Sequence, residues 1–295
     1  MRTLTIAVLA TFASVNPVAI GARPVREVPV RTARRVVTIV GADYAFRVPS
    51  AATPGPVSFR FVNEGKVRHE MAVALLAKGA TLEQFVAAHR VGKGVGALLE
   101  TSLGALFANA HSEAAAELGA GLAPGRDYVV WCSRRDSAGA PMHTELGMFS
   151  LLHVDSGRVR EEKRAPVDTI VATEYAFRYP ASLQAGHHAF SLVNAGKERH
   201  ELKMFVLAEG RTLADFMAEH SAWRRDRTQV GVAATPAAAV LDASAGATPG
   251  AVIEVDMQRG RLYVLVCDYS ETRDGPSHES LGMFGGIRVT ARRPR

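Results

Sequence analysis

The sequence predicts an all-β chain of two tandem β-sandwich units, each carrying one short inserted helix. Three observations predict this. A block of sequence is written twice, apolar residues alternate with period two in short runs, and Gly/Pro turn residues divide those runs. With 295 residues, each unit has enough chain to bury a core of its own.

The duplication is gapless over long stretches. "TIVGADYAFRVP" at Thr38 returns as "TIVATEYAFRYP" at Thr169, an offset of 131 (169 − 38). "FVNEGKVRHEM" at Phe61 returns as "LVNAGKERHEL" at Leu192, and "GATLEQFVAAH" at Gly79 as "GRTLADFMAEH" at Gly210. After a divergent middle, "GRDYVVWC" at Gly125 returns as "GRLYVLVC" at Gly260, an offset of 135 (260 − 125). Between the copies, "DSGRVREEKRAPVD" is polar, charged and broken by a proline, as a linker is. The expected organisation is a domain at 36–154, a linker at 155–166 and a domain at 167–291.

The elements follow in order. The start, "MRTLTIAVLATFASVNPVAIGA", has one positive residue, a short apolar run and then small residues. It reads as a secretory signal over residues 1–22, with cleavage after Gly21 or Ala22. No later run reaches the length of about 20 apolar residues that spans a bilayer. "VSFRFV" alternates, placing Val57, Phe59 and Phe61 on one face. "HEMAVALL" places His69, Met71, Val73 and Leu75 on one face and Glu70 on the other, and the second copy does the same with His200, Leu202, Met204 and Val206. A helix is expected from Thr81 to His89, with Thr81 and Gln84 forming a capping box. "DYVVWC" and "LYVLVC" are apolar enough for strands covered on both sides.

The formal net charge of +6 does not point to nucleic acid. The excess sits in the N-terminal segment (Arg2, Arg23, Arg26, Arg31, Arg34, Arg35), the linker and the tail "ARRPR", which read as solvated flanks of a neutral body. An exported protein without a nucleic-acid partner or an integral span is expected, in the periplasm or outside the cell.

Four polar or soft side chains recur at matching places. Each copy has a His opening a core-facing strand (His69, His200) and a Cys closing an apolar strand (Cys132, Cys267). A second His follows after ten intervening residues (His143, His278), and a Met after four more (Met148, Met283). Two imidazoles, a thiolate and a weak thioether are the donor set of a blue-copper site. Zinc prefers further Cys or His.

These residues resemble the cupredoxin family of type 1, plastocyanin-like copper proteins. The first His follows an Asn and a Gly in "NEGKVRH" and "NAGKERH", and Cys, His and Gly-Met close each unit. The likeness implies two Greek-key β-sandwich domains with one copper per domain. It implies His69, Cys132, His143 and Met148 as one ligand set and His200, Cys267, His278 and Met283 as the other. It also implies electron transfer with redox partner proteins. Two departures stand out: the Cys-to-His loop holds ten residues, longer than usual in the family, and Glu70 and Glu201 follow the first His where Asn is common.

Other readings remain beside this one. The chain could sequester or deliver copper, with copper donors or acceptors as partners, or serve as a metal-free interaction module. An enzyme is not expected. Multicopper oxidases and nitrite reductases, by resemblance, need His-x-His pairs and a His flanking the Cys. This chain has no His-x-His, and Trp131/Ser133 and Val266/Asp268 flank its cysteines. A Cys132–Cys267 disulfide would need Cα atoms within about 7 Å. His89 and His220 read as residues of the helix C-terminus facing its dipole, and Trp131 as core. His187-His188 is expected at a surface turn.

Overall fold

A computed structural model describes residues 35–159, 166–225, 237–272 and 275–291. The expected signal segment lies outside them, as does part of the expected linker. Among the described residues the chain is mostly β. Repeat 1 runs β1 (Arg35–Ala42), β2 (Ala45–Arg47), β3 (Gly55–Asn63), β4 (His69–Leu76), α1 (Leu82–Val91), β5 (Leu99–Ala108), β6 (Ser112–Glu113), β7 (Glu117–Leu122), β8 (Asp127–Trp131) and β9 (Phe149–His153). Repeat 2 runs β10 (Asp168–Thr173), β11 (Ala176–Arg178), β12 (Ser182–Gln184), β13 (Gly186–Asn194), β14 (His200–Val206), α2 (Leu213–Arg225), β15 (Ala239–Ala243), β16 (Ala251–Met257), β17 (Leu262–Val266) and β18 (Phe284–Thr290).

Local chemistry accounts for the elements. Val57, Phe59 and Phe61 alternate inward on β3 and are buried. Helix α1 starts at the expected capping box, with Thr81 and Gln84 each bonding the other's backbone N–H. It stops at Gly92 in the left-handed conformation, the usual helix terminator. Phe85 and Val86 bury α1 against Ala74, Leu76 and Val129 on the outer side of one sheet. Helix α2 opens with the same device, Thr212 and Asp215, and buries Phe216 on Phe205, Val264 and Val266. His187 and His188 do not lie in a turn. They belong to the start of β13, where the ladder with β16 already reaches back to Gly186, and they pair with Asp256 and Asp168.

The strands form two sheets, and both run through both repeats. One has the order β11-β10-β13-β16-β7-β3-β1-β2, with β6 beside β3; the other is β12-β18-β17-β14-β15-β5-β4-β8-β9. The repeats meet at β16–β7 and β15–β5, antiparallel in each case. Ala105 pairs with Val240, its own counterpart (105 + 135), and Leu118 with Ile253, also its own counterpart (118 + 135). The two repeats are thus related by a pseudo-twofold axis passing through those two pairs, the self-complementary contact of a symmetric dimer. One hydrophobic cluster extends across the junction, including Phe59, Phe61, Leu118 and Tyr128 from repeat 1 and Phe190, Leu192, Ile253 and Tyr263 from repeat 2.

The antiparallel junction decides where the ends of the strands go. Carrying the register over β4–β5–β15–β14 sets His69 level with Val206, six residues (206 − 200) along β14 from His200. At ~3.3 Å per residue along a strand and ~4.8 Å between strands, the two histidines are about 25 Å apart, toward opposite ends of the sandwich.

Gly104 makes the junction possible. It sits at a register shift of β5 with φ +100, and a Cβ there would run into the Val240 carbonyl oxygen. Gly104→Ala should therefore destabilise the protein by about 3 kcal/mol, through positive φ and a backbone clash together. Urea unfolding checks this; an unchanged midpoint would contradict the role given to this glycine.

Candidate metal centres

The Asn-x-Gly-x-x-x-His stretch is a loop held from within. Asn63 closes β3, accepts a bond from the Gly65 N–H (2.9 Å) and donates to the carbonyls of Val67, Ala108 and Asn109 (2.8, 3.2 and 2.9 Å). Asn194 does the same with Gly196, Glu198 and Ala243. The glycine leaves room for the first His: a Cβ on Gly65 would lie 3.0 Å from His69 Nε2, and one on Gly196 would lie 2.9 Å from His200 Nε2.

The Cys, second His and Met are laced together by backbone bonds. Cys132 N–H donates to the Met148 carbonyl (3.2 Å), Met148 N–H to His143 (2.8 Å), and Thr144 N–H back to Cys132 (3.2 Å). Repeat 2 repeats the lacing through Cys267, Met283, His278 and Glu279. Gly147 and Gly282, before each Met, have φ +103 and +107, so only glycine fits there without strain. This is the physical content of the repeated Leu-Gly-Met.

The structure brings the two expected histidines and the cysteine together in each repeat. His69 Nδ1 lies 3.1 Å from His143 Nδ1, and Cys132 Sγ lies 3.3 Å from the latter. In repeat 2, His200 Nδ1 and His278 Nδ1 are 3.0 Å apart, with Cys267 Sγ 3.5 Å from His278 and 3.9 Å from His200. All six side chains are buried, and Met148 and Met283 are wholly buried in the same core. The Glu70 and Glu201 N–H groups donate to the sulfurs at 3.3 and 3.2 Å, while strand alternation turns their carboxylates away. Both cysteines carry free thiols, each in its own cluster, so there is no disulfide.

Burial sets the electrostatics. It pushes both thiols up to about 12 and His69 down to about 4, the latter helped by the neighbouring His143. Two Nδ1 atoms can share only one proton between them, and a thiol is a weak partner for either. His69 Nε2 and His200 Nε2 have no hydrogen-bond partner among the described residues. Three donor atoms crowded in a dry pocket suit a soft or borderline cation at their centre.

Around each cluster lies a second layer that sequence reasoning did not find. His89 reaches Ser133 and Thr144, the residues following Cys132 and His143 (both 3.3 Å). His220 reaches the corresponding Asp268 and Glu279 (2.7 and 3.2 Å). Burial alone would raise Asp268; Lys203 and His220 reverse that and hold it well below the usual carboxylate range. Site 1 is thus flanked by hydroxyls and site 2 by an ionic network. The repeat of His89 as His220, at the same place in each unit, was the available signal. His89 lies in the last turn of α1, whereas α2 runs on to Arg225, so His220 is not the helix-end residue expected.

No protein-family model and no curated protein matches the chain. Solved structures do. They include auracyanin B, at 20% identity over 44% of this chain and 93% of that one (TM-score 0.30). They include a multi-copper oxidase from Pediococcus acidilactici, at 11% identity over 90% and 61% (TM-score 0.25). A copper-containing nitrite reductase from Thermus scotoductus is similar at 15% identity over 89% and 63% (TM-score 0.24). At these scores the likenesses name no family for this chain; its two-repeat β-sandwich is read from its own strand pairing. The expectation of a non-enzyme is corrected here, because a multi-copper oxidase and a copper-containing nitrite reductase, both enzymes, stand among these structures. Lack of His-x-His speaks only to two particular copper layouts, not to enzymes at large. At such scores neither activity carries over to this chain.

Buried thiols of such high pKa should be inert in the folded, metal-free protein. A disulfide-exchange reagent should find ~0 reactive thiols natively and ~2 per chain after denaturation under non-reducing conditions. Fewer than two on denaturation would mean that the cysteines are oxidised.

Proposed function

We propose that the protein is an exported two-domain copper protein with one mononuclear type 1 site in each domain, working in electron transfer. His69, Cys132, His143 and Met148 form one site, and His200, Cys267, His278 and Met283 the other. The observation that carries this reading is the convergence, twice, of two imidazole Nδ1 atoms and a thiol sulfur within 4.8 Å of one another in a buried pocket. Bound there, copper supplies one-electron Cu(II)/Cu(I) chemistry, to which this donor set is suited.

The chain's residues do the rest. The Asn63 and Asn194 loops hold the first His. The Cys–Met–His lacing fixes the other three ligands to one strand end and one turn. Packing around the ligands excludes water and resists their movement, which keeps reorganisation small when the charge at the site changes. The Glu70 and Glu201 N–H groups stabilise sulfur as a thiolate. Burial of every ligand favours electron transfer over delivery: an electron can leave through packed side chains, whereas an ion needs the pocket to open. The apolar segment at 1–22 supports export to a compartment where redox partners meet the protein.

Copper added to the purified protein should bind at two per chain and give an intense thiolate-to-copper charge-transfer band. Cys132→Ser and Cys267→Ser should each remove one copper's share of that band, and the double variant should remove all of it. A colourless protein at full copper loading would contradict the type 1 assignment.

A further inference from the structure

Both centres set a carboxylate beside the outer nitrogen of the second histidine, hydrogen-bonded in repeat 1 and in close approach in repeat 2. In repeat 1 the ten-residue loop after Cys132 folds back so that Asp136 Oδ1 lies 3.0 Å from His143 Nε2. Its other oxygen accepts a 2.6 Å bond from the Tyr44 hydroxyl. Tyr44 stands edge-on to His143 at 5.1 Å and holds a φ of +62, a conformation that costs a non-glycine residue energy. In repeat 2, Glu198 Oε2 lies 3.2 Å from His278 Nε2, a close approach without hydrogen-bond alignment, and Glu198 Oε1 accepts from the Tyr175 hydroxyl at 3.3 Å. Tyr175, the counterpart of Tyr44 (44 + 131), repeats the edge-on contact at 5.1 Å and the left-handed backbone, φ +57.

The carboxylates themselves are not counterparts. Glu198 stands where repeat 1 has Val67 (67 + 131). The counterpart of Asp136 is Glu271 (136 + 135), which belongs to the same group of oxygen and nitrogen atoms within 4.8 Å around His278. Duplication copies whatever the ancestral unit held. It does not account for carboxylates of different origin meeting the same ring nitrogen.

We infer that Asp136 and Glu198 are positioning residues, each holding the N–H of the second histidine on Nε2 so that the Nδ1 lone pair faces the metal. This rests on the copper reading above. A neutral imidazole has one donor and one acceptor nitrogen, and the partner of the outer nitrogen decides which is which. An anionic partner also makes the ring a stronger donor, which favours the more highly charged ion and lowers the reduction potential of the site. The long Cys-to-His loop of repeat 1 thereby acquires a role, since it carries a carboxylate over the site.

The test uses full-length chains with one site left. In a Cys267→Ser background, Asp136→Asn keeps the shape and removes the charge. Cu(II) affinity should fall about 10–100-fold, the usual effect of losing such a partner. Cu(I) affinity should fall less, and each tenfold difference between the two reads as a rise of about 59 mV in potential. Tyr44→Phe, which leaves Asp136 in place but unanchored, should move the potential the same way by less, and Asp136→Glu should restore most of the wild-type value. In a Cys132→Ser background, Glu198→Gln should raise the potential of site 2, and adding Glu271→Gln should extend the rise. Unchanged potential and Cu(II) affinity in folded Asp136→Asn would overturn the inference. So would equal losses for Cu(I) and Cu(II) alongside reduced stability of the metal-free protein, since that marks a mere loop prop. If the wild-type sites take up no copper, the copper reading falls and this inference with it. A wild-type charge-transfer band with an unmoved Asp136→Asn potential sinks the inference alone.

Discussion

Two imidazole nitrogens and a thiol sulfur packed side by side in a buried pocket form the constraint that the rest of the structure serves. Left to themselves, such groups gain little by meeting, and burial penalises any charge they take. They meet because the scaffold forces them to. The first His sits at the opening of a paired strand, behind a loop that Asn63 or Asn194 ties shut. The Cys sits at the end of another strand, and backbone bonds carry the second His and the Met back to it. The strand core beneath, with Phe59, Phe61, Tyr128 and their counterparts, leaves these side chains no alternative place.

The second constraint is the pseudo-twofold junction. Two antiparallel strand pairings join the repeats into common sheets, so that the repeats cannot swing as beads on a linker. The same pairing sends the two clusters to opposite ends, about 25 Å apart by strand geometry. Separated in this way, and flanked differently by hydroxyls at one and by the Lys203–Asp268–His220 network at the other, they are built to act as two distinct centres. One partner molecule at one end would face one centre only.

Much of this was legible in the sequence, and the physical reasons are local. The duplication, the alternation of β3 and β4 and the capping box of α1 depend on near neighbours in the chain. The residues in each cluster are those singled out by their repeated spacing. What was not legible depends on pairing between distant segments. β5 and β15, which join the repeats, lie in the divergent middle, where the offset changes from 131 to 135. His89 and His220 looked like helix ends, yet they reach the residues beside the Cys and second His. Asp136 was one acidic residue in a long loop, and Glu198 one in a short loop, until the fold bonded the first to an imidazole and set the second beside one.

The central claim is that each cluster holds a copper by thiolate and imidazole. X-ray absorption at the copper edge, on protein loaded with two coppers per chain, tests this most directly. One short sulfur neighbour and two imidazole nitrogens are expected for each copper, with the sulfur signal halved in Cys132→Ser and in Cys267→Ser. A shell of nitrogen and oxygen alone, without sulfur, would contradict it.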